Sequence, residues 1–277
     1  MSQEVDKSAA ISLFTGFINY QGDLNPNSFT LQHSNFATGI FVRKPISRWL
    51  TLRGGITTGK IEAYDSWNRA YLKPRNLSFS STIKELYAGF EIPIMDISVK
   101  RFTPYIYGGL AVFHFNPWAY DNNGVKTYLN PLSTEGQGLA EYPEQKKYRL
   151  TQLAIPFGVG ARFAVSDAMS IGIEFSQRKS FTDYIDDVST HYVDKDVLLQ
   201  AKGSKAVEMA YRGGQSPVGQ PEYPQHGEQR GTPSEMDWYY FLGLTMEFKL
   251  NAVGKMLGND SNKKAVASQR CPKNIVY

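Results

Sequence analysis

Six charged residues lie in segments whose side chains otherwise alternate between apolar and small or polar types. They are three arginines and three glutamates: Arg53, Glu85, Arg162, Glu174, Arg178 and Glu247. A charge removed from water is costly unless it is paired, so charges on an inner face must pair with one another. We predict an ionic network in the interior that stabilises the fold. Gating or transport through that network is the functional alternative.

Other residues that could do chemistry are scattered along the chain. None of the four histidines is spaced as a metal ligand with another histidine or with the single cysteine: His33, His114, His191 and His226. The sequence contains no nucleophile elbow, phosphate-binding loop or zinc-protease helix motif. A lipid hydrolase would need a serine, a histidine and an acid on an outer surface, and only His114 is a candidate. A position in an aromatic belt explains His114 as well, so we predict neither an enzyme nor a cofactor.

The acidic segment 183–196 (DYIDDVSTHYVDKD) could in principle hold Ca²⁺, because spaced carboxylates are its usual ligands. Its spacing does not match an EF-hand loop, which also needs a glycine at the sixth position. Loop capping, or pairing with Arg178 and Lys179, is the interpretation we favour. We therefore assign no metal site.

The charged residues lie in predicted β-strands. In the stretch Leu150–Ser180, two runs alternate with period two around a polar break at Ser166-Asp167, which indicates strands with one apolar face. The other face is rich in glycine and carries charge, as in the crowded polar interior of a small transmembrane barrel. The same reading along the chain gives six more strands: Ala10–Gln21, Phe36–Arg43, Trp49–Lys60, Leu77–Glu91, Thr103–Phe115 and Trp238–Lys249.

The count is eight strands, and the connections alternate in length. Those after the first, third, fifth and seventh strands are long and the others are short, as in bacterial outer-membrane barrels with long extracellular loops and short periplasmic turns. We predict an all-β, eight-stranded antiparallel transmembrane outer-membrane β-barrel over residues 10–250. An N-terminal lead-in (1–9) precedes it, a basic tail (251–277) follows it, and both termini are periplasmic. Side chains fill the lumen of such a barrel, so a wide pore is not expected.

Composition agrees with this prediction. Aromatic residues make up 13% of the 277 residues, which suits the aromatic girdles of membrane barrels. The net charge of +4 is mild and no dense basic stripe is present, so no nucleic-acid partner is expected. The first ten residues lack the regions of a signal peptide, which an outer-membrane protein needs, so either the sequence is a mature form with a starting Met added or the outer-membrane prediction is wrong. A single cysteine, Cys271, cannot form an internal disulfide.

Several short stretches also resemble a known family. They are Tyr20–Asn25 (YQGDLN), Arg75–Phe79 (RNLSF), Phe102–Tyr105 (FTPY), Phe113–Pro117 (FHFNP), Thr134–Gly138 (TEGQG), Leu150–Gly158 (LTQLAIPFG) and Arg178–Ser189 (RKSFTDYIDDVS). Together and in this order they resemble the PorG-like outer-membrane barrels of the Bacteroidetes, which belong to a wider group of uncharacterised β-barrel proteins. The resemblance extends over nearly the whole predicted barrel.

The resemblance implies a component of the type IX secretion system, which exports proteins and supports gliding motility in some relatives. It implies as partners a periplasmic ring made of a lipoprotein and its partner protein, besides outer-membrane lipid. The candidate docking residues are those of one short turn and the basic tail: Ser166, Asp167, Lys255, Lys263, Lys264 and Arg270. A disordered, solvated tail is the plain alternative. The alternative function is adhesion or ligand recognition through the large loops at 116–147 and 180–236.

Overall fold

The computed structural model describes residues 8–27, 30–95 and 101–251, and these residues form ten strands and two short α-helices. The strands are β1 (Ala10–Gln21), β2 (Asn35–Ser47), β3 (Leu50–Tyr64), β4 (Ser78–Pro93), β5 (Phe102–His114), β6 (Trp118–Tyr120), β7 (Lys126–Tyr128), β8 (Thr151–Ala164), β9 (Met169–Ser180) and β10 (Trp238–Lys249). The helices are α1 (Lys195–Lys202) and α2 (Ser204–Ala210). Four single 3₁₀ turns complete the set: Asp65–Trp67, Lys73–Arg75, Asn130–Leu132 and Gly213–Gln215.

Eight of the strands form a closed antiparallel barrel, which confirms the predicted fold. Each long strand pairs with the next long strand along the chain, and β10 closes the barrel on β1. The strands β6 and β7 form a small hairpin within the connection between β5 and β8. The first and last strands have the predicted bounds. The second strand extends beyond its predicted end at Arg43 to Ser47, and a register irregularity between Pro45 and Ser47 accommodates the proline, which has no N–H.

The outer face of the barrel is an apolar belt. In the hairpin of β8 and β9, Ile155 and Ile173 point outward and are 37% and 53% exposed, while their neighbours in sequence point inward. Large apolar side chains on the other barrel strands are exposed in the same alternating pattern, among them Leu13, Ile40, Ile56, Leu86, Leu110 and Leu244. Exposed apolar surface on every strand around a closed barrel is the lipid-facing surface of an outer-membrane barrel.

Glycines on the inner face make room for large rings in the lumen. A Cβ built on Gly160 would lie 2.3 Å from the Tyr105 ring, and one built on Gly55 would lie 2.5 Å from the Phe41 ring. Both distances are shorter than any real carbon–carbon contact. The glycine-rich inner face of the sequence therefore reflects close packing inside the barrel.

One end of the barrel is covered by a folded layer that we call the cap. It consists of the described residues of the four long connections: 22–27, 30–34, 65–77, 115–150 and 181–237. Its apolar residues Leu129, Ile185 and Met209 join one hydrophobic cluster with Phe79 and Phe113 at the top of the barrel. The cap is therefore packed onto the barrel and shares its core. The opposite end, with the turn 165–168, is called the short-turn end.

The helices of the cap were not predicted from the sequence. The Asp194 side chain accepts hydrogen bonds from the backbone N–H groups of Asp196 and Val197 and thereby caps the N-terminus of α1. Leu198 of α1 and Ala206 of α2 are buried together in a small second cluster. Among the residues that the structure describes, no helix is long and apolar enough to cross a membrane.

Candidate functional site

The lumen holds all six charged residues that the sequence analysis selected. Each is buried, and each forms an ion pair with a residue of opposite charge. Two further buried charges, Arg43 and Glu91, belong to the same network. The eight residues are four arginines and four glutamates, so the network is neutral.

At the short-turn end of the lumen, two arginines and two glutamates form a closed ring of ion pairs. Arg43 lies 3.0 Å from Glu91 and 2.8 Å from Glu247. Arg162 lies 2.8 Å from Glu247 and also contacts Glu91. Because each charge contacts two of opposite sign, none is left unpaired in the interior.

In the middle of the lumen, Glu174 accepts hydrogen bonds from several donors. Both terminal nitrogens of Arg53 donate to its two oxygens at 2.7 Å. The hydroxyls of Tyr105 and Tyr107 donate at 2.9 and 2.8 Å, and Arg43 donates at 3.3 Å. Such a bidentate, charge-assisted arrangement fixes both side chains in one geometry.

The Arg53 guanidinium also stacks between rings. Its central carbon lies 4.5 Å from the centroid of the Phe41 ring and 4.1 Å from that of the Tyr107 ring. These contacts add a cation–π attraction to the ion pair with Glu174.

Nearer the cap, Arg178 and Glu85 form the last ion pair of the lumen. Arg178 Nε lies 3.0 Å from a Glu85 oxygen, and the Tyr239 hydroxyl donates to the same carboxylate at 2.8 Å. Arg178 therefore pairs with Glu85 and not with the acidic segment 183–196, whereas the capping predicted for that segment agrees with Asp194 at the N-terminus of α1. Above this pair the lumen is filled by rings, with Phe113 and Phe115 stacked at 5.6 Å.

The sequence analysis missed Arg43 and Glu91, although strand parity would have found them. Arg43 has the same parity as the inward-facing Phe41 in β2, and Glu91 has the same parity as Glu85 in β4. Both are the last residues of their predicted strands, where the facing side is hardest to assign. The alternation of inner and outer faces continues to the ends of both strands.

The base of the cap contains a second buried ionic cluster, centred on Arg230. This arginine lies 2.8 Å from Glu135 and donates to the backbone oxygen of Asp187 at 2.6 Å. Glu135 also accepts from the backbone N–H groups of Ser189 and Thr190. These contacts join segments that are about a hundred residues apart in sequence into one layer.

Next to this cluster, two buried carboxyls share one phenol. The Tyr20 hydroxyl lies 2.6 Å from Asp186 Oδ2 and 2.9 Å from Asp237 Oδ1. A phenol has one hydrogen, so it can donate to only one of the two carboxyls at a time. A hydrogen bond from the second carboxyl to the phenol oxygen therefore requires a proton on that carboxyl.

Burial in the cap acts in the same direction on the pKa values of these acids. Desolvation, together with the nearby Asp23, raises the pKa of Asp186 to about 8. Burial raises the pKa of Asp183 to about 9 and that of Asp187 to about 6. The pKa of Asp237 is raised by burial and by the proximity of Asp186. The cap therefore retains protons that exposed aspartates would have lost at neutral pH.

Four of the stretches that carry the family resemblance meet in this layer. Thr134 donates to Asp187 at 2.6 Å, and the Leu24 N–H donates to Asp186 at 3.1 Å. Arg75 donates to the backbone oxygen of Asp23 at 3.0 Å and pairs with Asp65 at 2.7 Å. The recognisable sequence thus builds the base of the cap.

The cap also contains an open cleft of about 950 Å³. It is lined by residues of three connections, among them Asp23, Tyr71, Arg75 and residues of 211–236. Its lining also includes residues at the cap ends of three adjacent strands: Gln21 of β1, Lys179 of β9 and Trp238 of β10. The Trp238 ring also contacts Phe157 of the lipid-facing belt, with 6.2 Å between centroids.

The remaining predicted residues are not brought together. His114 is exposed on the outer face of β5, and its Nδ1 lies 3.1 Å from the Thr151 hydroxyl. Ser166 and Asp167 lie in the exposed turn between β8 and β9. The tail residues Lys255, Lys263, Lys264 and Arg270 lie outside the described residues. Within the described part of the chain, no group of three or more histidine, cysteine or acidic side chains could hold a metal ion.

A family model described as "Domain of unknown function (DUF6089)" matches residues 2–200. The chain belongs to this family. The match extends from the N-terminal lead-in through β9 and into α1, so it covers seven of the eight barrel strands and much of the cap. The family's description assigns no activity. Comparison with curated proteins returned no match.

Solved outer-membrane proteins are similar at low identity. Neisserial surface protein A is 8% identical with a TM-score of 0.44, over 87% of this chain and 97% of that protein. The attachment invasion locus protein of Yersinia pestis is 8% identical with a TM-score of 0.41, over 88% and 100%. OprG of Pseudomonas aeruginosa is 8% identical with a TM-score of 0.39, over 88% and 97%. The barrel assignment depends on the strand pairing and the apolar belt, independently of these likenesses.

Proposed function

We propose that the protein is a non-enzymatic, non-conducting barrel of the outer membrane that acts through its two ends. The observation that carries this proposal is the neutral ionic network across the lumen, in which Glu174 alone contacts two arginines and two tyrosines. A lumen filled in this way offers no continuous aqueous path. Single-channel recording of the purified barrel in planar bilayers tests it, and a stable open conductance in the wild-type protein would contradict it.

In this proposal the cap is extracellular, and the short-turn end and both termini are periplasmic. The long connections at one end and the short turns at the other support this orientation. In a Cys271→Ser background, Val125→Cys in the cap should react in intact cells with a maleimide that cannot cross the membrane. Asp167→Cys in the short turn should react only after the outer membrane is permeabilised. Labelling of Asp167→Cys in intact cells would reverse the orientation.

We further propose that the barrel anchors the export machinery of the type IX secretion system. The support is the resemblance to PorG-like barrels, together with an exposed turn at Ser166 and Asp167 on the side opposite the cap. A photo-crosslinker at Asp167 should capture the periplasmic ring proteins, whereas one at Val125 should not. Deletion of the protein should block export of secreted cargo, and intact export in the deletion strain would refute this role.

The second candidate function is ligand recognition by the cap. The observation that favours it is that the long connections are folded on a buried core and enclose a large cleft. An antibody fragment directed against the cap should block surface recognition while leaving cargo export intact. Blocked export with the same fragment would instead tie the cap to secretion.

A further inference from the structure

The cleft of the cap has a lining that limits the chemistry of its ligand. Its two arginines are already neutralised, since Arg75 pairs with Asp65 at 2.7 Å and Arg230 pairs with Glu135 at 2.8 Å. The other charges of the lining are of both signs: Lys179, Asp23, Glu228 and Glu235. Three of these four side chains are acidic and one is basic, so a ligand of high negative charge would meet net repulsion there. The cleft is therefore suited to a polar ligand that carries no negative charge.

The polar groups that remain can both donate and accept hydrogen bonds. Three glutamines and two hydroxyl residues line the cleft: Gln21, Gln220, Gln229, Thr232 and Ser234. An amide or a hydroxyl offers a donor and an acceptor side by side. The hydroxyl groups of a saccharide have the same dual character.

Aromatic surfaces complete the lining. Tyr71, Tyr211 and Trp238 line the cleft, and Tyr71 is 66% exposed. An aromatic ring has a negative face, which attracts the C–H groups on the apolar face of a sugar ring. A peptide adding as a strand is disfavoured, because the lining residues that belong to strands, Gln21, Lys179 and Trp238, are already paired with one another in the barrel.

We propose that the cleft binds a neutral saccharide, with Tyr71 and Trp238 contacting sugar rings and Gln229 bonding to hydroxyls. This inference depends on the second candidate function, ligand recognition by the cap, and names its ligand class. The saccharide can be a soluble glycan or the headgroup of a glycolipid, since the ring of Trp238 lies both at the cleft and against Phe157 of the lipid-facing belt.

The test uses the full chain, folded in detergent and in lipid nanodiscs. Soluble neutral oligosaccharides on a glycan array are the first probe, and nanodiscs with or without a neutral glycolipid are the second. Binding in the first arm identifies a soluble glycan as the source, and binding in the second arm alone identifies a headgroup. Affinities are then measured by titration calorimetry.

Tyr71→Ala and Gln229→Ala should each weaken binding about tenfold. Both side chains are exposed, so the variants should fold, which the heat-dependent mobility of the barrel on gels verifies. Tyr128→Ala is the matched control, because Tyr128 is an exposed tyrosine of the cap outside the cleft and should leave binding unchanged. The proposal is overturned if the wild-type protein binds no saccharide in either arm, or if both cleft variants bind like wild type. If the antibody fragment directed against the cap still blocks surface recognition in that case, ligand recognition by the cap is supported and only the saccharide assignment is wrong.

Discussion

Replacing Glu174 by glutamine should destabilise the barrel strongly, because this carboxylate is the centre of the lumen network. It accepts two hydrogen bonds from Arg53 and one each from Arg43, Tyr105 and Tyr107. The amide has nearly the same shape, but its NH₂ group would face donors instead of accepting from them. The change also leaves four buried arginines against three glutamates.

The magnitude follows from the loss of one partner in a buried ionic network, which costs about 3–5 kcal/mol. Glu62→Gln is the control. Glu62 pairs with Lys60 at 2.7 Å at the surface, where Lys60 is nearly half exposed. Solvent screens such a pair, so its loss should cost about 0–1 kcal/mol.

The assay is equilibrium unfolding of the barrel in lipid vesicles by urea, followed by tryptophan fluorescence. The free energy of unfolding should fall by several kcal/mol for Glu174→Gln and hardly change for Glu62→Gln. Adding Arg53→Met to Glu174→Gln restores charge balance and should recover part of the loss, with a coupling of about 0.5–3 kcal/mol. A loss below about 1 kcal/mol for Glu174→Gln, or no recovery in the double variant, would refute the reasoning.

Three further predictions concern the outer face and the cap. Ile173→Arg, at the middle of the lipid-facing side of β9, should lower the free energy of unfolding in vesicles by about 2–4 kcal/mol, and an unchanged value would contradict a membrane barrel. His114→Ala should leave any lipid hydrolysis by the purified barrel unaltered. A loss of hydrolysis in this variant would support the enzyme alternative. Burial raises the pKa of Asp186 from 3.8 to about 8, so the folded cap binds a proton more tightly than the unfolded chain does. The stability that this proton contributes is complete below about pH 3.8 and decreases as the pH rises to about 8. After brief incubation at each pH, the resistance of the cap to proteolysis should fall as the pH rises over this range. Asp186→Asn should make this resistance less dependent on pH, and an equally steep pH dependence in the variant would show that another group is responsible.

The sequence predicted the barrel well because period-two alternation is a local signal. In the hairpin of β8 and β9, most inward positions are small or charged and most outward positions are apolar, so Arg162 and Glu174 could be assigned to the lumen from the sequence. Their partners could not be assigned, because pairing depends on barrel closure. Glu174 binds Arg53, which is 121 residues away in the chain.

The cap was not predicted because its order arises from contacts that have no period. The helices α1 and α2 have eight and seven residues and lie in a segment rich in turn-forming residues. They are held by the burial of Leu198, Ala206 and Met209. The ion pair of Arg230 with Glu135 joins residues 95 positions apart. Composition indicated a polar loop there, whereas the long-range contacts produce a folded layer.

The lumen and the cap compensate their buried charges in different ways. In the lumen, four glutamates meet four arginines, so the network stays neutral without any bound proton or ligand. At the base of the cap, Asp186 and Asp237 share the single hydrogen of Tyr20, and burial raises the pKa of both carboxyls. Stability in the lumen is thus set by the chain alone, whereas stability in the cap depends on the solution that surrounds it. The neutral lumen thus supports the proposal of a non-conducting barrel, and the proton-binding acids of the cap provide a test of how the cap responds to pH.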